Sequence, residues 1–279
     1  MATIRAMAAN TIAILGGGNM GRALIGGLLR RGMRPEKIQV AEALPEARAT
    51  LAREFGITAV ADAAAATRAA DLILIAVKPQ HVAALLAPLR PRLQEARPLV
   101  VSIAAGIRVA SLSLWCGAAV PVVRAMPNRP ALVGAGVTGI FAPPEVDAAA
   151  RAAAAQLLSA VGEVVWVAHE EALDVVTALS GSGPAYLFLL TEAMMHAAVG
   201  LGLETAAAHK LAVGTLYGAG LLAQSGDGDL ARLRAEVTSK AGTTEAALKI
   251  FAAADLSGTV IHALQAATRR SRELAEQFG

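Results

Sequence analysis

Between residues 11 and 168, short apolar runs alternate with helical stretches, and after about residue 170 no such run recurs. TIAILG, KIQVAE, ITAVAD, DLILIAV, LVVSIAAG, VPVVRAMP, GVTGIFA and EVVWVA read as strands. NMGRALIGGLLRRG, PEARATLAREFG, ADAAAATRAA and the segment after Pro79 read as the helices between them. Strands alternating with helices of about 10–15 residues imply βαβ units and a mostly parallel sheet with helices on both faces. Beyond residue 170 the chain reads as helices separated by GSGP, SGDGD, TSKAG and DLSG. The expected class is α/β, with a sheet domain over 1–168 and an all-helical domain over 169–279.

The first strand runs into GGGNMG, in which Gly16, Gly18 and Gly21 make G-x-G-x-x-G. In a strand–turn–helix unit the first glycine permits the tight turn, the second lets backbone approach a pyrophosphate, and the third lets helix pack closely on strand. The diphosphate then meets free N–H groups at the helix start, where Asn19 and Met20 stand. These features make the first domain Rossmann-like. Glu42, at the end of the second strand, occupies the place of an acid that binds the adenine ribose and favours NADH. Arg48 and Arg53 on the next helix could instead approach a 2′-phosphate, so cofactor preference stays open. Strand ends face the ligand crevice in such sheets. That nominates Ala76, Val77, Lys78 and Pro79 after the apolar strand, and Ala104 and Ala105 in the small-residue turn SIAAG. RAMPNRP and VGAG read as further walls of the same crevice.

In the helical half, TALSGSGPAY reads as a break that restarts at Pro184, a good first-turn residue. It is not a nucleophile elbow, because Ser180 stands where that motif needs glycine and no strand leads into it. Gly214, Gly218 and Gly220 leave a helix face nearly bare, which suits core packing or a subunit interface. The TSKAGTT loop separates two helical patterns, LRAEV and EAALKIF. Its hydroxyls and the backbone N–H groups of a new helix start form an anion site in physical terms, although a plain threonine N-cap explains Thr243 or Thr244 equally well. The five histidines show no metal-ligand spacing, and HEEAL at 169–173 lacks the second histidine of a zinc motif. No metal is expected.

Composition narrows the classes further. A single cysteine, Cys116, rules out an internal disulfide and is expected to be a buried apolar residue. A net charge of +3 and 3% aromatic residues give little support to nucleic-acid binding. The uncharged stretches all contain Gly or Pro, so a membrane span is not expected, and MATIRAMAAN shows no secretory leader. The expected compartment is a reducing cytoplasm.

In this order, GGGNMG, AVKPQ, SIAAG, RAMPN, TALSGSGPAY and VTSKAGTT resemble the pyrroline-5-carboxylate reductase family, from Thr11 onward. The resemblance implies hydride transfer from NADPH or NADH to the ring C=N carbon of 1-pyrroline-5-carboxylate, giving proline. It makes the helical half a dimerisation and substrate domain. It also implies a homodimer with interlocked helical domains, sometimes built into larger rings, and an active site between one subunit's first domain and its partner's helical domain. Ser239 and Thr244 become the catalytic-site side chains, and Ser239, Gly242, Thr243 and Thr244 the substrate-binding set. Glu245 must then point away from the ligand. The chain departs from the family pattern at Lys240-Ala241, where Pro-Gly is common, at Arg129 for Thr, and at Ala63 for Asn. Two rivals remain: another imine or β-hydroxyacid-type reductase, whose glycine–lysine context is missing around His209-Lys210, and a non-enzymatic dinucleotide-binding sensor.

Overall fold

A computed structural model describes residues 11–225 and 228–278. The N-terminal decapeptide, on which the leader reading rests, and two residues of the SGDGD break lie outside the described residues.

The eight segments read as strands are all strands: β1 (Ile12–Leu15), β2 (Ile38–Ala41), β3 (Thr58–Val60), β4 (Leu72–Ile75), β5 (Leu99–Ser102), β6 (Val122–Met126), β7 (Gly136–Phe141) and β8 (Gly162–Trp166). They form one sheet in the order β3-β2-β1-β4-β5-β6-β7-β8. β1 pairs in parallel with β2 (Ile12 opposite Ile38) and with β4 (Ile12 opposite Leu72). The parallel ladder runs on to β6, where β7 pairs antiparallel. The connection over 127–135 is too short for the crossover that a parallel partner needs. β8 then follows β7 in parallel.

The helices of this part are α1 (Asn19–Arg30), α2 (Pro45–Phe55), α3 (Ala63–Thr67), α4 (Val82–Leu86), α5 (Arg90–Ala96), α6 (Val109–Cys116) and α7 (Ala148–Ser159). Side chains alternate across a strand, and both faces of this sheet are covered. Ile12 and Ile14 join a core with Leu24, Leu28, Leu51 and Leu157, whereas Ala13 and Leu15 join a second core with Leu86, Leu93, Leu112 and Cys116. Double coverage explains why β1 and β4 read as continuous apolar runs rather than alternating ones. Each fully buried Leu or Ile contributes about 1.5–3 kcal/mol.

The chain divides into two compact units, one comprising the described residues through Gly181 together with those from Ala267 onward, the other Ser182–Ala266. Strand patterns end at residue 168, but the first unit keeps α8 (Ala172–Val176) and the π-helical turn Thr177–Gly181. Two ion pairs hold that segment. Arg124 Nη1 donates to Glu170 Oε1 at 2.9 Å, and Arg108 Nη2 donates to Asp174 Oδ2 at 2.9 Å. Ser271 Oγ donates to the other Asp174 oxygen at 2.8 Å, which ties the end of the chain to the same carboxylate.

TALSGSGPAY is not the sharp break expected. Thr177 Oγ1 donates to Leu173 O and Ser180 Oγ to Val176 O, at 2.7 and 2.9 Å, and the helix widens by a π turn before resuming at Gly183. Hydroxyls that bond back to preceding carbonyls loosen the regular ladder without ending the helix. The stretch Ala172–Gly200 is consequently long and apolar enough, by length and composition, to cross a membrane, which the Gly and Pro residues had argued against.

The second unit holds α9 (Gly183–Gly200), α10 (Thr205–Ser225), α11 (Leu230–Glu236), α12 (Thr243–Ala253) and the start of α13 (Leu256–Phe278). α9 and α10 pack as a hairpin. This unit has almost no core of its own: α9 and α12 bury no residue, and α10 buries only Ala208 and Ala212. Phe188, Leu189, Tyr217 and Ile250 are between 61% and 70% exposed. Among the described residues a Cβ on Gly214, Gly218 or Gly220 would meet nothing within 4 Å, so packing there explains none of these glycines. An apolar surface this large marks an interaction site.

Candidate active site

The sheet order reverses between β1 and β4, because the chain runs outward from β1 to β3 and then returns to β1's other side. A ligand crevice is expected at the carboxyl ends of those two strands. Gly16 sits there at φ +111, and a Cβ on it would lie 2.7 Å from Ala76 O and 3.1 Å from Val77 Cγ1. Ala76 N donates to Leu15 O at 2.8 Å. The glycine turn and the Ala76–Val77 strand end, nominated separately from sequence, therefore touch. A Cβ on Gly21 would overlap Gly16 O, so that glycine lets helix and turn close on each other. Gly18 has the opposite character: it is exposed, and a Cβ there would meet nothing within 4 Å. Gly18 is also the N-cap of α1 and supplies no side-chain cap, so the N–H groups at Asn19, Met20 and Gly21 have no intrahelical partner. An open approach, unpaired donors and a positive dipole end suit a pyrophosphate.

Other nominated residues are placed unequally. Lys78 is exposed and its carbonyl accepts from His81 N at 2.9 Å, in the turn that Pro79 opens. Ala104 is only 3% exposed with its N–H on Ser102 Oγ, leaving Ala105 as the accessible part of that turn. Glu42 is half-buried against the glycine turn: its Oε2 accepts from Gly17 N at 2.9 Å and its Oε1 from Leu44 N at 3.0 Å. Cys116 is fully buried, and that burial pushes its thiol up to about 12, so it is a neutral core residue.

Sequence reasoning missed the clamp at Asn128. This residue, 7% exposed, donates from Nδ2 to Ser180 O at 3.1 Å and accepts Val137 N–H at 2.9 Å. It thereby joins the MPN turn, β7 and the π turn. Met126 Cε reaches the same turn, 2.9 Å from where a Cβ on Gly181 would stand. Glu170 was weighed only as part of a failed zinc motif, yet it accepts from both Arg124 and Val109 N.

In the second unit, α11 closes when Thr238 Oγ1 donates to Arg234 O at 2.6 Å. Gly242 N then donates to Ser239 O at 3.0 Å, and Gly242 becomes the N-cap of α12 without a side-chain cap. A Cβ on Gly242 would overlap Ser239 Oγ, so glycine is what lets that hydroxyl fold over the helix start. Thr243 is the first residue of α12, and neither it nor Thr244 caps the helix, which removes the plain N-cap explanation. Glu245 turns back, taking Ala241 N–H on Oε2 and Lys249 Nζ on Oε1. The Lys249 contact first, and the Ala241 N–H second, hold its carboxyl below the usual carboxylate range. That carboxylate therefore lies beside the helix start, on the N–H next to the N-cap, and is not turned away as expected, while Ser239 and Thr244 retain hydroxyls with no partner among the described residues.

Comparison with known proteins agrees with both units. Residues 170–274 match the family described as pyrroline-5-carboxylate reductase dimerisation, and residues 11–106 match that described as NADP oxidoreductase, coenzyme F420-dependent. A pyrroline-5-carboxylate reductase of Pseudomonas aeruginosa is 47% identical over 273 residues, covering 98% of this chain and 100% of that protein. One from Corynebacterium melassecola is 41% identical, covering 95% and 99%. Among solved structures, the Coxiella burnetii pyrroline-5-carboxylate reductase superposes with a TM-score of 0.92 at 38% identity, covering 95% of this chain and 98% of that one. The Plasmodium falciparum enzyme with NADP bound gives 0.82 at 25% identity, covering 96% and 98%.

Proposed function

The chain belongs to the pyrroline-5-carboxylate reductase family, and from that premise we propose how its parts divide the work. The protein is an NAD(P)H-dependent oxidoreductase that reduces 1-pyrroline-5-carboxylate to proline. The bound reduced nicotinamide supplies the hydride. The rest falls to the chain's own groups. Gly16, Gly18 and Gly21 with the Asn19 and Met20 N–H groups hold the pyrophosphate, Glu42 the adenine ribose, and Ala76–Pro79 with Ala104–Ala105 the nicotinamide half. The Gly242–Thr244 start of α12 receives the substrate carboxylate, and Ser239 and Thr244 orient the ring.

A new C–H bond forms at the imine carbon, the C=N π pair moves to nitrogen, and a protonated ring nitrogen becomes the secondary amine. A protonated imine is already a good acceptor, so holding it flat at the hydride donor supplies most of the rate through proximity and orientation. The observation that carries this reading is the start of α12, where N-cap Gly242 supplies no side-chain cap and two unpaired hydroxyls, Ser239 and Thr244, flank it.

The same reading makes 1–168 the cofactor domain and 169–279 the dimerisation and substrate domain. The nearly coreless helical unit supports a homodimer with interlocked helices, extendable to a ring, in which each active site joins one subunit's cofactor domain to its partner's helical domain. A cytoplasmic location accords with a single buried cysteine. Initial rates of NADH and NADPH oxidation with racemic 1-pyrroline-5-carboxylate test the reaction. Saturable turnover with proline as product is expected, whereas a folded protein that binds a dinucleotide yet makes no proline would contradict it.

A further inference from the structure

We infer that this protein takes NADH in preference to NADPH and that Glu42 is the residue that rejects the 2′-phosphate; the inference rests on the glycine turn being the dinucleotide site. Glu42 directly follows β2, and its N–H donates to Val60 O at 2.9 Å, which fixes its backbone at the carboxyl end of the sheet. Its carboxylate is built into the cofactor turn, with one oxygen on Gly17 N and the other on Leu44 N. A carboxylate oxygen has two acceptor sites, so each oxygen can still take a ribose hydroxyl. An acid in this place of a doubly wound sheet does so. A 2′-phosphate would set its negative charge against that carboxylate, and this like-charge repulsion should weaken binding at least about tenfold, or about 1.4 kcal/mol.

The neighbouring cations do not reverse this. Arg48 Nη1 donates to the carbonyls of Glu42 and Ala43, at 2.8 and 2.7 Å, so it braces the turn that presents the carboxylate. Arg22 pairs with Glu54 and lies 5.7 Å from the centroid of the Phe55 ring. Arg53 stands in the last turn of α2, about 12 Å along the axis from the helix start. The segment between the end of β2 and the start of α2 thus presents an anion to the ribose.

Equilibrium binding of NADH and of NADPH, read by nicotinamide fluorescence, tests this on the wild-type protein, Glu42→Gln and Arg48→Met. The wild type is expected to bind NADH at least about tenfold tighter, with the gap narrowing as salt rises. Glu42→Gln keeps the size and one acceptor oxygen, and should bring the two affinities to within about threefold, mainly by improving NADPH. Arg48→Met should weaken both cofactors alike. Equal or tighter NADPH binding by the wild type overturns the inference, as does an unchanged ratio in Glu42→Gln or a selective loss of NADPH in Arg48→Met. Binding of neither cofactor overturns it together with the dinucleotide site. The ratio is read without turnover, so the expected ratio in a protein that makes no proline would uphold this inference while sinking the reaction.

Discussion

Ala241 holds φ +57 one residue before the N-cap of α12, a left-handed conformation that costs an alanine about 1 kcal/mol and a glycine little. Ala241→Gly should therefore stabilise the protein by about 0.5–1 kcal/mol, measured by chemical denaturation at fixed protein concentration; an unchanged midpoint would mean the loop does not keep this turn. Thr244 stands on the other side of the N-cap with an unpaired hydroxyl, and the proposed function gives it a chemical role. Thr244→Ala should lower kcat/KM for the imine about 10–100-fold, the worth of a hydrogen bond to a charged group, and leave NADH affinity within about twofold. Equal loss of NADH binding would show instead that the loop serves the fold. That TSKAGTT interrupts two helices was legible from sequence. That Glu245 turns back to Ala241 N–H and Lys249 was not, since either orientation satisfies a helix start.

At the scale of elements, the strands were legible because burial on both faces writes them as unbroken apolar runs, as in Leu72–Ile75. The glycine turn was legible because Gly16 and Gly21 answer separate steric demands, while Gly18 leaves an open approach. The π turn was not: Ser, Gly and Pro read as breakers, and only the back-bonding of Thr177 and Ser180 shows that the helix widens instead. The clamps were equally hidden, because Arg108–Asp174 and Arg124–Glu170 join residues 66 and 46 apart, with nothing local to mark them. Asn128 is the most testable of these contacts. Asn128→Ala strands Val137 N–H and Ser180 O in a part-buried place and should cost about 1–3 kcal/mol; a loss below about 0.5 kcal/mol in denaturant midpoints would mean that water takes over both groups. Asp174→Asn breaks a contact between Arg108 and a carboxylate with no exposed surface, and should cost about 3 kcal/mol in the same measurement.

The molecule as a whole is explained only by more than one copy. A helical unit whose apolar side chains face outward cannot hold its fold by burial within one chain, and its match to a dimerisation family points the same way. Leu189→Glu places a charge on a side chain that is 67% exposed in the single chain. If a partner covers it, sedimentation equilibrium should show dissociation to monomers with loss of thermal stability; an intact oligomer would place the interface elsewhere. In the proposed homodimer each active site is shared between two subunits, and complementation tests that sharing most directly. Gly18→Asp has room to fold, since a Cβ there meets nothing within 4 Å, yet its carboxylate occupies the pyrophosphate approach. Thr244→Ala leaves the cofactor turn intact. Co-expressed under two tags and purified as mixed dimers, the two variants should regain about half of wild-type activity, because one of the two sites then has both halves unaltered. Mixed dimers no more active than the two parent variants would contradict a shared site.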